Sequence, residues 1–198
     1  MQFRNSPEHY GLVALSLHWL VAALFLAQVA MGAAMTTLPL SDPRVFPLYQ
    51  THKSIGFVIF GLVAIRLLWR LGGTAPARPD TLPRWQARAA DAMHFSLYAA
   101  LLIMPLLGWI IVSASPLGIP TLIFGKVAIP DLVFIVESPD KQLIGSIASW
   151  AHRALAWAAS LAVICHIAAA LVHHLVMKDA TLTRMLPTRA QFRSEPPA

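Results

Sequence analysis

The feature that most constrains this chain is a set of four apolar stretches, each long enough to cross a lipid bilayer. A crossing helix needs about 20 mainly apolar residues, and such runs lie at about 12–35, 48–71, 89–113 and 144–177. Charged residues make up 12% of the chain, against about 25% in an average soluble domain, and they collect between these runs. The pattern predicts one all-α membrane domain over residues 1–198, folded as a four-helix transmembrane bundle.

The segments outside the runs give further expectations about the fold. The first run is longer than the about 7–15 apolar residues of a signal peptide, so it is interpreted as a retained span. Pro105 lies inside the third run and predicts a kink near Met104. Between the third and fourth runs, Leu132–Val136 is apolar but too short to span. We expect a loop with a small interfacial helix there.

Lysine and arginine are unequally divided between the two predicted membrane faces. The N-terminus, the connection after the second run and the tail carry Arg4, Arg70, Arg78, Arg84, Arg88, Lys178, Arg184, Arg189 and Arg193. The opposite face carries Arg44, Lys53, Lys126, Lys141 and Arg153, with four acidic residues close by. The positive-inside rule therefore predicts that both termini are cytoplasmic. These cations border apolar spans, so they indicate contact with lipid headgroups and no nucleic-acid partner.

Four histidines fall inside the runs at two matched depths. With a rise of about 1.5 Å per residue, His18 lies roughly 9 Å to the cytoplasmic side of the middle of the first run. His52 lies roughly 11 Å to the opposite side of the middle of the second run. His152 and His166 are roughly 21 Å apart along the fourth helix, at the depths of His52 and His18 respectively. Their separation is two heptads, so both lie on one helix face.

This pattern predicts two stacked pairs, His18 with His166 and His52 with His152. Paired imidazoles are what a bis-histidine haem requires, and ionisable residues inside a span usually face the bundle interior in a functional role. The alternative is a buried histidine bonded to a neighbouring helix. That alternative suits a lone histidine better than four at matched depths. Cys165 is the single cysteine and no C-x-x-C-H signal is present, so any haem would be held non-covalently.

Other polar residues compete for roles or support the pairs. His94, at the cytoplasmic end of the third run, could replace His18 or His166 as a ligand. His173 lies a heptad beyond His166 at the membrane surface, where a propionate or a quinone headgroup suits it. His9 and His174 are interpreted as ordinary interfacial histidines.

Three cations have candidate roles, with interfacial anchoring as the alternative for each. Lys53 and Arg153 directly follow His52 and His152, where they could meet a propionate or an incoming anion. Arg66 lies about a turn inside the cytoplasmic end of the second run and could pair with a propionate.

Gly32, Gly56 and Gly61 could admit a neighbouring helix or a flat macrocycle. If both axial positions of each iron are filled, no residue acts as a catalytic group, and electrons pass through the haem edge.

Several short motifs lie around these histidines. They are His18-Trp19, His52-Lys53-Ser54-Ile55-Gly56, Trp150-Ala151-His152, and the closing run from His166 through His173-His174 to Lys178–Leu182 and Arg184–Pro187. With these motifs the chain resembles the bacterial cytochrome b561 family, which includes b-type cytochrome subunits of nickel–iron hydrogenases. The resemblance implies a protein of the bacterial inner membrane with two b haems, bound at His18, His52, His152 and His166.

The resemblance also implies a function, which is exchange of electrons with the quinone pool. Small stand-alone members oxidise periplasmic superoxide and reduce ubiquinone, and the length of this chain is closest to that form. The alternative is a membrane anchor and electron conduit for a partner dehydrogenase or hydrogenase. A third hypothesis is a haem-free transporter whose histidines relay protons. On the leading hypothesis, Lys53, Lys126 or Arg153 would attract superoxide, and His94, His173 or His174 would serve the quinone.

Overall fold

The computed structural model describes residues 2–39, 41–77 and 82–187. Its long helices are α1 (Leu12–Thr37), α2 (Val45–Leu71), α3 (Arg84–Ser113) and α5 (Lys141–Val172), with the short α4 (Val133–Val136) before the last. The four long helices are apolar enough to cross a membrane. The prediction of four spans is therefore confirmed. The predicted roles of Arg78, Arg189 and Arg193 in orientation lie outside the described residues, and the direction of the termini stays a prediction.

Three long helices, α2, α3 and α5, begin before the apolar runs that predicted them, and α5 does so by three residues, at Lys141. α2 begins at Val45, and Pro47 fits in its first turn because backbone N–H groups there have no intrahelical acceptor. α3 begins at Arg84, immediately after Pro83, whose carbonyl accepts the Ala87 N–H at 3.1 Å. Hydropathy locates the part of a helix inside lipid, and the polar first turn of α3 falls outside that part. α3 continues through Pro105, and the predicted kink there is not tested.

The connection between α3 and α5 contains the predicted small helix and an unpredicted β-hairpin. Strands β1 (Thr121–Ile123) and β2 (Val127–Ile129) pair antiparallel, with Thr121 opposite Ile129. The turn between them places Phe124 at φ 48° and Gly125 at φ 72°. Three residues, Phe124 to Lys126, separate the paired strands, and turn positions with positive φ are usually taken by glycine, asparagine or aspartate. Because the first residue of this turn is phenylalanine, the sequence contains no recognisable turn signal, and the hairpin was not predicted.

The chain divides into two compact units. The terminal unit comprises Met1–Ala22, Leu62–Tyr98 and Leu161–Ala198, and the hairpin unit comprises Ala23–Gly61 and Ala99–Ser160. Each unit takes a portion of all four long helices. Val63 is fully buried in the terminal unit, whereas large apolar side chains such as Phe95 and Trp157 are exposed. Exposed apolar side chains on a spanning helix are the surface that lipid covers.

Within the terminal unit, hydrogen bonds join the polar segments to the helices. The Trp19 indole N–H donates to the Met185 carbonyl at 2.6 Å, and the Arg184 guanidinium donates to the Ala77 carbonyl. Asn5 donates to the Thr74 carbonyl at 2.9 Å. The N-terminal segment, the connection after α2 and the tail are thereby held together next to His18, which precedes Trp19.

Candidate cofactor site

The hairpin unit brings together His52 of α2 and His152 of α5. Their ring centroids are 6.3 Å apart and their planes meet at 61°. The Nδ1 atoms of both rings are buried and lack a hydrogen-bond partner among the described residues. A buried polar atom without a partner is costly and needs a reason. Both rings therefore have bonding capacity that the described residues leave unused.

Bare glycines lie beside both imidazoles of this pair. A methyl group at Gly32 of α1 would lie 3.7 Å from the His52 Cε1 atom, and one at Gly108 of α3 would lie 3.8 Å from the His152 Cε1 atom. On both α1 and α3, the position next to an imidazole ring therefore carries no side chain. The residues present fit a flat macrocycle held between the two imidazoles. Gly32 was singled out from the sequence, whereas Gly108 was missed because nothing in its local pattern links it to His152.

The terminal unit brings together three imidazoles, His18 of α1, His94 of α3 and His166 of α5. The His18 and His166 ring centroids are 6.4 Å apart, with planes at 68°. The His94 and His166 centroids are 5.4 Å apart, with planes at 72°. His94 is therefore a real neighbour of the predicted pair, as its depth in the sequence suggested.

The centroid spacing distinguishes between these candidates. Metal–nitrogen bonds of about 2 Å separate the ring centroids of two imidazoles on opposite sides of one metal by about 6.2 Å. Both predicted pairs have this spacing, whereas His94 and His166 are closer together. No cluster of three or more His, Cys, Asp or Glu able to hold a bare metal ion occurs in the part of the chain that the structure describes. Each pair offers two ligands, and a macrocycle would have to supply the others.

Arg66 of α2 contacts one of the candidate ligands directly. Its Nη1 atom lies 2.7 Å from His18 Nδ1, and its Nε–H donates to the Tyr98 hydroxyl at 3.0 Å. A guanidinium can only donate, so His18 Nδ1 is the acceptor and the neutral ring carries its proton on Nε2. A histidine binds a metal through an unprotonated nitrogen. His18 cannot ligate iron as a neutral imidazole while this contact persists.

The other two cations singled out from the sequence differ in their surroundings. The Lys53 ammonium donates to the Pro120 carbonyl at 3.3 Å, next to Gln50, which donates to the same oxygen at 3.1 Å. Lys53 is thus tied to the segment that leads into the hairpin. Arg153, which follows His152, is exposed, and it is the better placed of the two to meet an anion from solution.

His173 has a partner that the sequence analysis missed. It begins a π-helical turn, His173–Met177, that extends α5, and its Nδ1 atom lies 2.5 Å from Asp179 Oδ2. The other Asp179 oxygen accepts the Thr181 N–H at 2.8 Å. Burial raises the pKa of the Asp179 carboxyl, but the hydrogen bonds from Thr181 and His173 outweigh burial and hold that pKa below its usual range. Asp179 therefore stays ionised and orients the His173 ring. His174, by contrast, is exposed.

Comparison with known proteins agrees with these features. A family model described as prokaryotic cytochrome b561 matches residues 9–188. The cytochrome b561 homolog 2 of Escherichia coli K12 is 33% identical over 186 residues, covering 94% of this chain and 95% of that protein. The cytochrome b561 homolog 1 of the same strain is 29% identical over 174 residues, covering 87% and 94%. A Yersinia pestis protein named probable superoxide oxidase CybB is 28% identical over 185 residues, covering 92% and 98%.

Proposed function

This chain belongs to the prokaryotic cytochrome b561 family, and on that premise we propose that it carries electrons from periplasmic superoxide to ubiquinone through two b haems. Membership alone makes it a multi-pass protein of the bacterial inner membrane that binds haem b and transfers electrons. In the proposal, His18 with His166 would hold one haem and His52 with His152 the other. The number of haems, their ligands and the two substrates are proposed here in addition to family membership.

The observation that carries the proposal is the matched spacing of the two histidine pairs. Their centroid separations, 6.4 and 6.3 Å, would let the two rings of each pair hold one haem iron between them. When bound, a b haem supplies a one-electron carrier whose reduction potential depends on its axial ligands and on the charges around it. In the proposal, the imidazoles position that carrier, Gly32 and Gly108 leave it space, and the apolar helices exclude water from it.

Arg66 supports the terminal-unit pair in the proposal. Haem propionates are carboxylates, and an arginine guanidinium binds carboxylates with paired, charge-assisted hydrogen bonds. Binding of a propionate would draw Arg66 away from His18 Nδ1. The His18 proton could then move to Nδ1, which would leave Nε2 free for iron. Arg66 is thus assigned to a propionate, as the sequence analysis suggested for it.

We expect Arg66→Gln to lower the reduction potential of one haem by on the order of tens of millivolts, because loss of a nearby cation favours the ferric state. Arg70→Gln is the matched control. Both guanidinium carbons lie 5.8 Å from the Tyr98 ring centroid, and only Arg66 contacts His18. Redox titration of both variants measures the effect. Equal shifts in the two variants would remove the assignment of Arg66 to a propionate.

On the donor side, exposed cations support superoxide as the substrate. Arg153 is exposed next to His152, and Lys126 is exposed at the hairpin turn, and positive charge raises the local concentration of an anion. The Yersinia pestis relative carries a superoxide oxidase name at 28% identity. Two superoxide ions would each lose one electron and leave as dioxygen. Ubiquinone would take up those two electrons and two protons to become ubiquinol.

On the acceptor side, the His173–Asp179 pair supports a quinone site. Asp179 fixes the His173 proton on Nδ1 and leaves Nε2 available to exchange a proton with a quinone oxygen. His94 and His174 were alternatives in the sequence analysis. Among the described residues, neither His94 nor His174 has a carboxylate partner that would orient its ring.

The test uses the full-length protein in liposomes that contain ubiquinone. We expect superoxide from an enzymatic source to reduce the haems rapidly and then to yield ubiquinol, with both steps abolished by superoxide dismutase. If superoxide does not reduce the haems, and only a copurifying dehydrogenase does, the chain is an electron conduit for that partner. A colourless preparation would instead favour the haem-free transporter.

A further inference from the structure

The turn of the β-hairpin holds an aromatic residue in an unfavourable backbone conformation. Phe124 has φ 48° and is 59% exposed. The left-handed region disfavours residues with a bulky side chain, and glycine, asparagine or aspartate usually takes this position. Strain of this kind persists only where the surroundings enforce it, and it often accompanies a function. More than half of the Phe124 surface is exposed, so burial offsets little of the cost of this conformation.

Ser54 of α2 enforces the conformation of the turn. Its side chain is 1% exposed, and its Oγ atom accepts the Phe124 N–H at 2.9 Å. The same atom lies 2.8 Å from the Gln50 carbonyl and 3.3 Å from the Leu122 carbonyl, and its hydroxyl proton can go to either. The backbone of the hairpin is therefore bonded to α2 at Phe124, the first residue of the turn.

Further apolar side chains of the same connection are exposed. Leu117, Val127, Val133 and Phe134 are between 59% and 73% exposed. The indole N–H of Trp109 in α3 donates to the Pro130 carbonyl at 2.9 Å and so ties the segment before α4 to a spanning helix. Together with Phe124, five large apolar side chains of this one connection are thus exposed, and exposed apolar groups of this kind mark an interaction surface.

The topology and the charge of the connection identify what covers this surface. The connection begins where α3 ends and finishes where α5 begins, and both are membrane-spanning helices, so it starts and ends at one bilayer surface. Between residues 114 and 140 there is one basic residue, Lys126, against Asp131, Glu137 and Asp140. Attraction to anionic headgroups is therefore excluded as the main force. Aromatic rings are favoured at the boundary between headgroups and acyl chains.

We propose that this connection is a second membrane-contacting element, in which Phe124 and Phe134 insert into the headgroup–acyl boundary of the bilayer that the four helices span. Ser54 and Trp109 hold the element to α2 and α3, and the lipid covers its apolar side. The element steadies the end of α2 that carries His52, two residues before Ser54. The inference goes beyond electron transfer and holds whichever donor or acceptor the protein uses.

The test places a nitroxide label at the turn of the otherwise cysteine-free protein. Cys165 is replaced by serine, and Phe124→Cys is labelled in full-length, haem-loaded protein in phosphatidylcholine liposomes. Lys126→Cys, two residues away in the same turn, is the matched control. We expect the ratio of oxygen to nickel-chelate accessibility to be at least about threefold higher at position 124, because oxygen concentrates in the acyl region. Anionic lipid should leave the ratio unchanged.

Phe134→Asn provides a second measurement through a residue outside the turn. It should lower the accessibility ratio of the label at position 124, because the element then loses its remaining phenylalanine anchor, while the haem spectrum stays unchanged. Equal water exposure at positions 124 and 126 overturns the proposal. Dipolar broadening that grows with the protein-to-lipid ratio also overturns it, since that result assigns the surface to a second copy of the chain.

Discussion

Replacing His152 by alanine is expected to lower the haem content of the purified protein from two groups per chain to one. His152 is paired with His52, so on the proposed assignment its loss would leave a haem at that site with one protein ligand. The His18–His166 pair belongs to the other compact unit and should keep its haem. Haem per polypeptide, measured on the pyridine complex, gives the result. The reduced-minus-oxidised spectrum should retain a single b-type component.

The same measurement on other histidines tests the assignment of each ligand. His18→Ala, His52→Ala and His166→Ala should each remove one haem. His94→Ala should retain both, because the His94 and His166 centroids are closer than two imidazoles on one iron. The exposed His174 provides the control for a histidine without a role in binding. If His94→Ala empties a site and His18→Ala does not, the pairing in the terminal unit is wrong.

Replacing His173 by alanine is expected to slow ubiquinone reduction by about 100-fold, which is the usual contribution of a positioned proton donor. Both haems should remain bound, and superoxide should still reduce them at the original rate, because His173 is not one of the paired histidines. Stopped-flow reduction of the haems and steady-state formation of ubiquinol separate the two steps. His174→Ala is the matched control, since it removes the neighbouring and exposed imidazole. Equal losses in the two variants would exclude a specific role for His173.

Asp179, the partner of His173, predicts how quinone reduction depends on pH. The pKa of Asp179 is held below its usual range, so the contact with His173 is fully present above the ordinary carboxyl pKa. The contact is lost only as the pH falls through the lowered value. Quinone reduction should therefore persist into mildly acidic solution. Asp179→Asn should slow it at every pH, although less than His173→Ala does.

The four membrane spans were predictable because one physical requirement, the thickness of the bilayer, sets their length. A bilayer of fixed thickness needs a minimum length of apolar helix, and that length can be read directly from the residues. The beginning of α3 at Arg84 was not predictable in this way, because its polar first turn lies outside the apolar run. The hairpin was missed because its strands have three residues each and its turn carries Phe124, whose conformation depends on a hydrogen bond that its N–H donates to a distant helix.

The candidate site was predictable to the level of which histidines meet. Depth along a spanning helix follows from the rise per residue, and the structure brings together the histidines of equal depth. The groups around them were less accessible to sequence reasoning. Gly108 adjoins His152 through the packing of two helices, and Asp179 reaches His173 only because the chain turns back after a π-helical turn.

The contact between Arg66 and His18 bears on how the protein is assembled in the cell. A haem that binds at His18 would have to draw the Arg66 guanidinium away from His18 Nδ1, and the ring would have to change tautomer. In the hairpin unit, the Nδ1 atoms of His52 and His152 have no hydrogen-bond partner among the described residues, so no such exchange is needed there. We expect maturation to be sequential, with the site at His52 and His152 filled first and a half-loaded intermediate accumulating when haem supply is short.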